Sequence, residues 1–318
     1  MLLGLDIGFG DVKAVGENGV KIKIPTAVAY AGEGALDLDK FSPTHREYSY
    51  SGRKYVIGET AVSRAFSTRS FDFLKRYAPL LAYKAIEELP AFPPSMAVGL
   101  PLGYYTSGYE KDFAHAMRKI DVDGRALEMD VEVYPQGLGA FFDYCLDENG
   151  DEREGTDING LVIDVGFSTV DVIAFENGAA VKVDSGMLER AGISKPAQDL
   201  ARVLQAETTI NLTEQEAKNA LMKGKLSVYG FEKDLSEIIR KVVEDYADWL
   251  MSVITSRWED RVQRADRLIL AGGGAYYLKP YIPAKYRRVL FVPDEPEFSN
   301  ARGFLKALKA AAREKAAQ

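Results

Sequence analysis

Cysteine occurs once in this chain of 318 residues, at Cys145, and histidine only twice, at His45 and His115. A single cysteine excludes an internal disulfide and any cysteine-rich metal cluster. It lies in Gly139-Ala140-Phe141-Phe142-Asp143-Tyr144-Cys145-Leu146, a helical apolar run in which a thiol serves packing. Two histidines in unrelated contexts give no basis for a histidine-centred triad or a zinc site. No apolar run reaches the ~20 residues needed to span a bilayer, so direct membrane insertion is not expected. The start lacks the basic stretch and cleavage site of a secretory leader, and Asp6 interrupts its apolar run. The expected location is therefore cytoplasmic. The net charge of -7 predicts no strong direct binding to nucleic acid.

What is present is a length sufficient for two domains and a stretch that occurs twice. The first copy reads Leu5-Asp6-Ile7-Gly8-Phe9-Gly10-Asp11-Val12-Lys13, the second Ile163-Asp164-Val165-Gly166-Phe167-Ser168-Thr169-Val170-Asp171. Each is an apolar strand that reaches an Asp, turns through Gly-Phe-small and resumes as a β-branched strand. Each then meets an Asn-Gly pair, Asn18-Gly19 and Asn177-Gly178, a hairpin signal. Two such hairpins predict two related lobes with a nucleotide between them.

Between the copies, residues 26–70 are irregular and read as a small insertion, with Ser51-Gly52 turning a hairpin. A helix is expected from Phe71 to Leu89, kinked or broken at Pro79, and another from Tyr109 to Ile120. Met96–Pro101 reads as a buried strand, and Leu127–Tyr134 as one alternating strand. Pro135-Gln136-Gly137 opens the helix that carries Cys145, and Asp147–Asp157 reads as an exposed acidic loop. After the second copy, helices are expected over Lys195–Gln205, over Thr213–Met222 behind a capping box, and over Asp234–Trp258. Lys223–Gly230 reads as a basic turn and short strand. Leu268–Ala271 and Val289–Val292 read as buried strands, and Ser299-Asn300 as the cap of a last helix. Strands alternating with helices make this an α/β chain, and the hairpins make its sheets mixed.

The chemistry follows from residue type. Gly8 and Gly10 can hold a positive φ and admit a ligand to the backbone, and successive amides of such a turn suit phosphate oxygens. Asp6 at the strand end could hold the water shell of a magnesium ion, and Lys13 could place its ammonium on a phosphate. Asp164, Gly166, Ser168 and Thr169 supply the same parts with hydroxyls added. Asp171 stands where Lys13 stood, either as a structural acid or with a direct role. Gly272-Gly273-Gly274, before Ala275, allows a flat adenine and ribose to rest on bare backbone, or else marks a tight turn. Gln136 at a helix start could orient a water toward a γ-phosphate, or cap the helix.

In their order, these motifs resemble the actin, Hsp70 and sugar-kinase ATPase superfamily, and within it the actin-like proteins of the ParM type and the archaeal actin-like branch. The residues that carry the resemblance are Gly4–Lys13, Pro135–Ala140, Gly160–Val172, Ala271–Gly274 and Phe298–Gly303. The resemblance implies a two-lobed actin-like ATPase fold of duplicated RNase H-like domains. It implies a first lobe of residues 1–157 with 298–318 and a second of 158–297, with a small subdomain at about 190–245. By matching position, Asp6–Lys13 (with Gly8, Phe9, Gly10 and Asp11) resembles the first phosphate loop, and Asp164–Asp171 (with Gly166, Phe167, Ser168 and Thr169) the second. Gly272–Ala275 resembles the adenosine motif, Asp6 and Asp164 the magnesium-side carboxylates, and Gln136 the water-positioning residue. Gly137 and Gly303 fall where inter-lobe hinges are expected. Lys223 or Lys218 would touch the nucleotide, although each also reads as a solvated lysine. Phe9 and Phe167 depart from the small polar residues common in such loops.

The resemblance therefore implies an actin-like ATPase that binds ATP (or GTP) with Mg2+, hydrolyses it slowly and polymerises with copies of itself. Its role would be plasmid segregation, through an adaptor protein linking it to DNA, or cytoskeletal. A small-molecule kinase or a pilus-assembly module of the same fold remains the alternative.

Overall fold

The computed structural model describes residues 1–32, 46–68 and 70–317. The chain runs β1 (Leu2–Ile7), β2 (Asp11–Gly16), β3 (Lys21–Pro25), β4 (Val28–Tyr30), β5 (Tyr48–Tyr50), β6 (Arg53–Ile57), α1 (Phe71–Glu87), β7 (Ser95–Leu100), α2 (Ser107–Arg118), β8 (Lys119–Val122), β9 (Arg125–Glu128), β10 (Asp130–Pro135) and α3 (Leu138–Cys145). It continues with β11 (Gly160–Val165), β12 (Thr169–Glu176), β13 (Ala179–Glu189), α4 (Ser194–Thr208), α5 (Glu214–Lys223), β14 (Lys225–Val228), β15 (Phe231–Asp234), α6 (Ser236–Arg257), α7 (Glu259–Gln263), β16 (Arg267–Ala271), α8 (Ala275–Leu278), β17 (Leu290–Phe291) and α9 (Ser299–Ala317). Two units result: residues 1–152 with 300–318, and residues 153–299.

Each unit is built on a five-stranded sheet. In the first the order is β10-β7-β1-β2-β3, in the second β17-β16-β11-β12-β13. In both, the central strand pairs antiparallel with the strand that follows it and parallel with the strand on its other side. The internal repeat of the sequence is thus a repeat of topology. β1 and β11 lie in mid-sheet, and all but the first residue of β1 are buried, so both read as continuous apolar runs rather than alternating ones. In unit 2, Leu161, Ile163, Leu200, Tyr246, Leu250 and Ile254 share one core, with β11 covered by α4 and α6.

Several local expectations are corrected. Leu127–Tyr134 is not one strand. β9 folds back on β8 through Asp123-Gly124, whereas β10 pairs in parallel with β7, and the chain changes partner at Met129. Pro79 neither breaks nor ends α1, which runs through it. The hydrogen bond lost at Pro79 is outweighed by packing, because Ala78 through Tyr83 are all buried. The basic segment after α5 is a complete hairpin, β14–β15, rather than a lone strand. Gly137 and Gly303, expected at inter-lobe connections, both lie inside unit 1. Asn300 does not cap its own helix. Its Oδ1 accepts from the amides of Gly137 (3.0 Å) and Ala140 (3.2 Å), and so caps α3.

The insertion contributes a three-stranded sheet, β4-β6-β5, over a small core of Ala27, Ala29, Val56 and Ala61. Residues 33–45 of that insertion, His45 included, and Arg69 lie outside the described residues.

Candidate functional site

In unit 1 the β1–β2 register sets Asp6 opposite Lys13, and Lys13 Nζ lies 3.5 Å from Asp6 Oδ2. Gln136 follows β10, two strands away from β1. Its side chain crosses β7 because Gly99 leaves room: a Cβ there would stand 3.0 Å from Gln136 Cγ. Gln136 Nε2 donates to Asp6 Oδ1 at 2.8 Å and to the Ile7 carbonyl at 3.4 Å. Both donors of the amide face β1, so its carbonyl oxygen Oε1 is the end available to accept from a water. Burial pushes the Asp6 carboxyl above its ordinary range, and Lys13 and Gln136 partly offset this.

The loop after β1 is held from behind. Gly8 N–H donates to the Asp11 carbonyl (3.1 Å), Thr26 Oγ1 donates to the Gly8 carbonyl (2.6 Å), and Thr26 N–H donates to the Gly10 carbonyl (3.0 Å). A trans peptide aims its N–H away from its C=O. The amides of Phe9 and Asp11 therefore face away from Thr26.

The same construction recurs in unit 2. Register sets Asp164 opposite Asp171, and Gly166 N–H donates to the Thr169 carbonyl at 3.0 Å. Here three successive carbonyls are tied back to the entry of α4: Gly166 to Ile193 N–H (3.0 Å), Phe167 to Ser194 N–H (2.7 Å) and Ser168 to Gly192 N–H (3.3 Å). The amides of Phe167, Ser168 and Thr169 consequently share the opposite direction, an arrangement suited to phosphate oxygens. Thr169 Oγ1 donates to Asp171 Oδ2 at 3.1 Å, which gives Asp171 a structural task. Ser168 Oγ is buried with no hydrogen-bond partner among the described residues. A buried hydroxyl left in this way is costly unless a ligand satisfies it.

The glycines of these loops work differently from the sequence expectation. Neither Gly8 nor Gly166 has a left-handed φ; each sits where a Cβ would crowd its own hairpin, 3.1 Å from the Asp11 carbonyl and 3.2 Å from the Thr169 carbonyl. The triple glycine divides in two. Gly272 has φ +77°, and Cβ atoms at Gly272 and Gly274 would fall closer than 3.0 Å to Asp164, Val165 or both. These two let the turn after β16 press against the end of β11, where Gly274 N–H donates to the Val165 carbonyl at 2.9 Å. Gly273 alone has room, its nearest neighbour being Glu297 Cβ at 3.9 Å. Only Gly273 offers the bare backbone expected of all three. Ala275 is buried at the start of α8.

Unit 2 thus brings together Asp164, Gly166, Phe167, Ser168, Thr169 and Gly272–Ala275. It does not bring Lys223, which ends α5 on an exposed surface. The lysine at the loop is Lys218 of the same helix, buried, with Nζ 5.7 Å from the Phe167 ring centre. Five residues along a helix place the two lysines on different faces. Phe9 and Phe167 are both buried. Sequence reasoning missed Thr26 and the Gly192–Ser194 amides. Backbone tethers carry no residue signature, and only the Pro25-Thr26 and Gly192 positions mark them.

Among the described residues no three acid, histidine or cysteine groups gather as a metal cage. A magnesium ion keeps most of its waters and takes one or two carboxylates with phosphate oxygens. Asp6 and Asp164, each at the end of a central strand beside its loop, are of the kind that fits.

Residues 4–139 match the family described as actin-like proteins, N-terminal domain. Residues 162–283 match the archaeal actin homologue, MreB-like, C-terminal family. The chain is 26% identical over 330 residues to an archaeal actin homologue of Thermoplasma volcanium, covering 96% of this chain and 98% of that one. An archaeal actin homologue solved in complex with ADP superposes with a TM-score of 0.74 at 22% identity, covering 98% of this chain and 99% of the other. A subunit of a 15-stranded ParM filament from Clostridium botulinum gives 0.72 at 18% identity, over 98% and 99%. At these identities the solved structures speak for the fold, which is actin-like. No helix among the described residues is long and apolar enough to cross a membrane. With an actin-like family matching residues 4–139 and an archaeal actin homologue family matching residues 162–283, on two units of the same topology, the chain belongs to the actin-like proteins of the archaeal actin type.

Proposed function

We propose that this protein binds ATP with magnesium at its two phosphate loops, hydrolyses it slowly and assembles with copies of itself into filaments in the cytoplasm. The observation that carries the reading is the second loop: three carbonyls tied behind it, three amides turned forward, and the Ser168 hydroxyl buried without a partner. The matching loop of unit 1, with Lys13 in place of Asp171, supports a second phosphate-binding turn with a cationic side.

Magnesium, when bound, neutralises charge on the phosphates. Asp164 or Asp6 would hold it through waters. The loop amides, with Ser168 and Thr169, orient the phosphates, and Gly273 admits the flat base and ribose. Lys218 closes on the same loop from α5. Gln136, its Nε2 bound to Asp6 and Ile7, presents Oε1 to align a water. An amide orients but takes no proton, so slow turnover is expected.

The assembly follows the ParM filament relative and the family. A role in plasmid segregation through a DNA-linked adaptor, or as a cytoskeleton, rests on the same likeness. Phosphate release and sedimentation, measured together with ATP and magnesium, test the reading. Wild type is expected to pellet with ATP and to release phosphate. Gln136→Ala is expected to bind ATP normally and to lose about 10²-fold in hydrolysis. A protein that binds no ATP, or that never pellets across protein and salt concentrations, overturns it.

A further inference from the structure

Among the described residues, four hairpins close through two-residue turns with both residues left-handed: Ser51-Gly52, Asp123-Gly124, Asn177-Gly178 and Tyr229-Gly230. Such turns favour Asn, Asp or Gly at their first position. Three of the four carry a small polar residue there. The fourth carries tyrosine, at φ +52°, a conformation that a bulky residue adopts at a cost. The cost brings little packing among the described residues, since Tyr229 is 87% exposed and Phe231 beside it 79%. The hairpin under this tip is nonetheless fixed. Leu226 packs on the unit 2 core, Lys225 pairs with Glu232 at 2.6 Å, Lys233 pairs with Glu207, and Leu235 N–H donates to the Gly224 carbonyl at 2.9 Å. A strained, rigid turn that presents two aromatic rings outward has the form of a docking knob.

The hairpin leads into α6, 22 residues long, or roughly 33 Å at 1.5 Å per residue. At the far end of α6 lies a groove of about 710 Å³, lined by Glu176, Asp184, Arg257, Trp258, Arg261 and Arg264. Arg261 is held by Glu176 and Asp184, and Trp258 Nε1 donates to the Asp184 carbonyl at 2.7 Å, so the floor is rigid. Arg257 and Arg264 are exposed and have no carboxylate partner among the described residues, and Arg257 lies over the Trp258 ring, 4.8 Å from its centre. The Arg264 guanidinium, and the face of Arg257 turned away from Trp258, can receive an aromatic ring. Knob and groove stand at opposite ends of one helix. A copy cannot fill its own groove, and a contact between two different patches propagates without closing.

We propose that the Tyr229–Phe231 tip of one copy docks in the Arg257/Arg264 groove of the next. The proposal rests on the filament reading above and names the contact behind it. Neither patch belongs to the nucleotide site, so nucleotide binding is a control.

Two variants and their mixture test it. In the tip variant, Tyr229→Asn with Phe231→Thr, an Asn-Gly turn favours the hairpin, so the melting temperature is expected to hold or rise while assembly fails. In the groove variant, Arg257→Glu with Arg264→Glu, assembly is also expected to fail with nucleotide binding intact. The critical concentration in either is expected to rise about tenfold or more, as when a hot-spot side chain is removed. An equimolar mixture has one competent tip facing one competent groove, and sedimentation is expected to show dimers and nothing longer. If wild type never assembles, the filament reading falls and this contact with it. If wild type and either variant assemble at the same critical concentration, the contact alone is overturned. Assembly kept by the tip variant with loss of binding to anionic phospholipid vesicles would assign the tip to a lipid surface, and would also overturn it.

Discussion

Alanine substituted in turn for Gly272, Gly273 and Gly274 separates packing from ligand access within three residues. At Gly272 the methyl meets Asp164 and the Val165 carbonyl at less than 3.0 Å, on a backbone with φ +77°. The left-handed conformation costs an alanine about 1 kcal/mol, and forcing a methyl into packed backbone adds about 1–3 kcal/mol. Gly272→Ala is therefore expected to lose about 2–4 kcal/mol. Gly274→Ala meets the side chain of buried Val165, with Val165 Cβ at 2.7 Å, and is expected to lose about 1–3 kcal/mol. Gly273→Ala has space and is expected to stay within about 0.5 kcal/mol. For a unit of this size, Gly272→Ala should lower the melting temperature by roughly 5–15 °C. Scanning calorimetry without nucleotide gives the three values, and titration with a fluorescent ATP analogue gives affinity. Gly273→Ala should melt like wild type yet bind about tenfold more weakly, because the methyl covers the one bare peptide. If Gly273→Ala melts as low as Gly272→Ala, the division between packing glycines and an open one is wrong.

Ser168→Ala removes a buried hydroxyl that has no partner, so it should stabilise the nucleotide-free protein by about 1 kcal/mol while weakening ATP binding; a loss of stability in urea denaturation would refute this. Asp143→Asn removes the carboxylate that Lys306 and Arg302 share, Lys306 being 3% exposed and keeping only the exposed Glu148 at 3.2 Å, and should destabilise the protein by about 3 kcal/mol in the same assay. Asp6 has a raised folded-state pKa, so the folded protein binds its proton more tightly than the unfolded chain does. Its contribution to stability should fall as pH rises from the ordinary carboxylate range through the folded value, and Asp6→Asn should lack that slope. Chemical denaturation of the two proteins across acidic pH would show a constant difference if burial did not raise this group.

The legible part of the site lies where chemistry needs a residue type. Asp6, Lys13, Asp164 and Ser168 were readable because the two strand-turn-strand stretches align residue by residue, and in the structure they pair in the same register. Gln136 was readable as a polar amide at a helix start. Its partner Asp6 was not, because the two are 130 positions apart and meet only through the parallel pairing of β10, β7 and β1. Asn300 looked like a cap and is one, for a helix distant in sequence. Lys223 and Lys218 could not be told apart, since the face of α5 that meets Phe167 is set by packing.

The sequence alone determined the duplication, the α/β class and the residues at each turn, because strand periodicity, glycine and the Asn-Gly pairs are local signals with local causes. Tertiary structure decided how those residues are used. It tied the loop carbonyls to Thr26 and to the entry of α4, gave Gly272 and Gly274 to packing and left Gly273 open. It also set Tyr229 outward at one end of α6 and the arginine groove at the other. Each of these depends on atoms far apart in the chain being brought together, which local pattern does not encode.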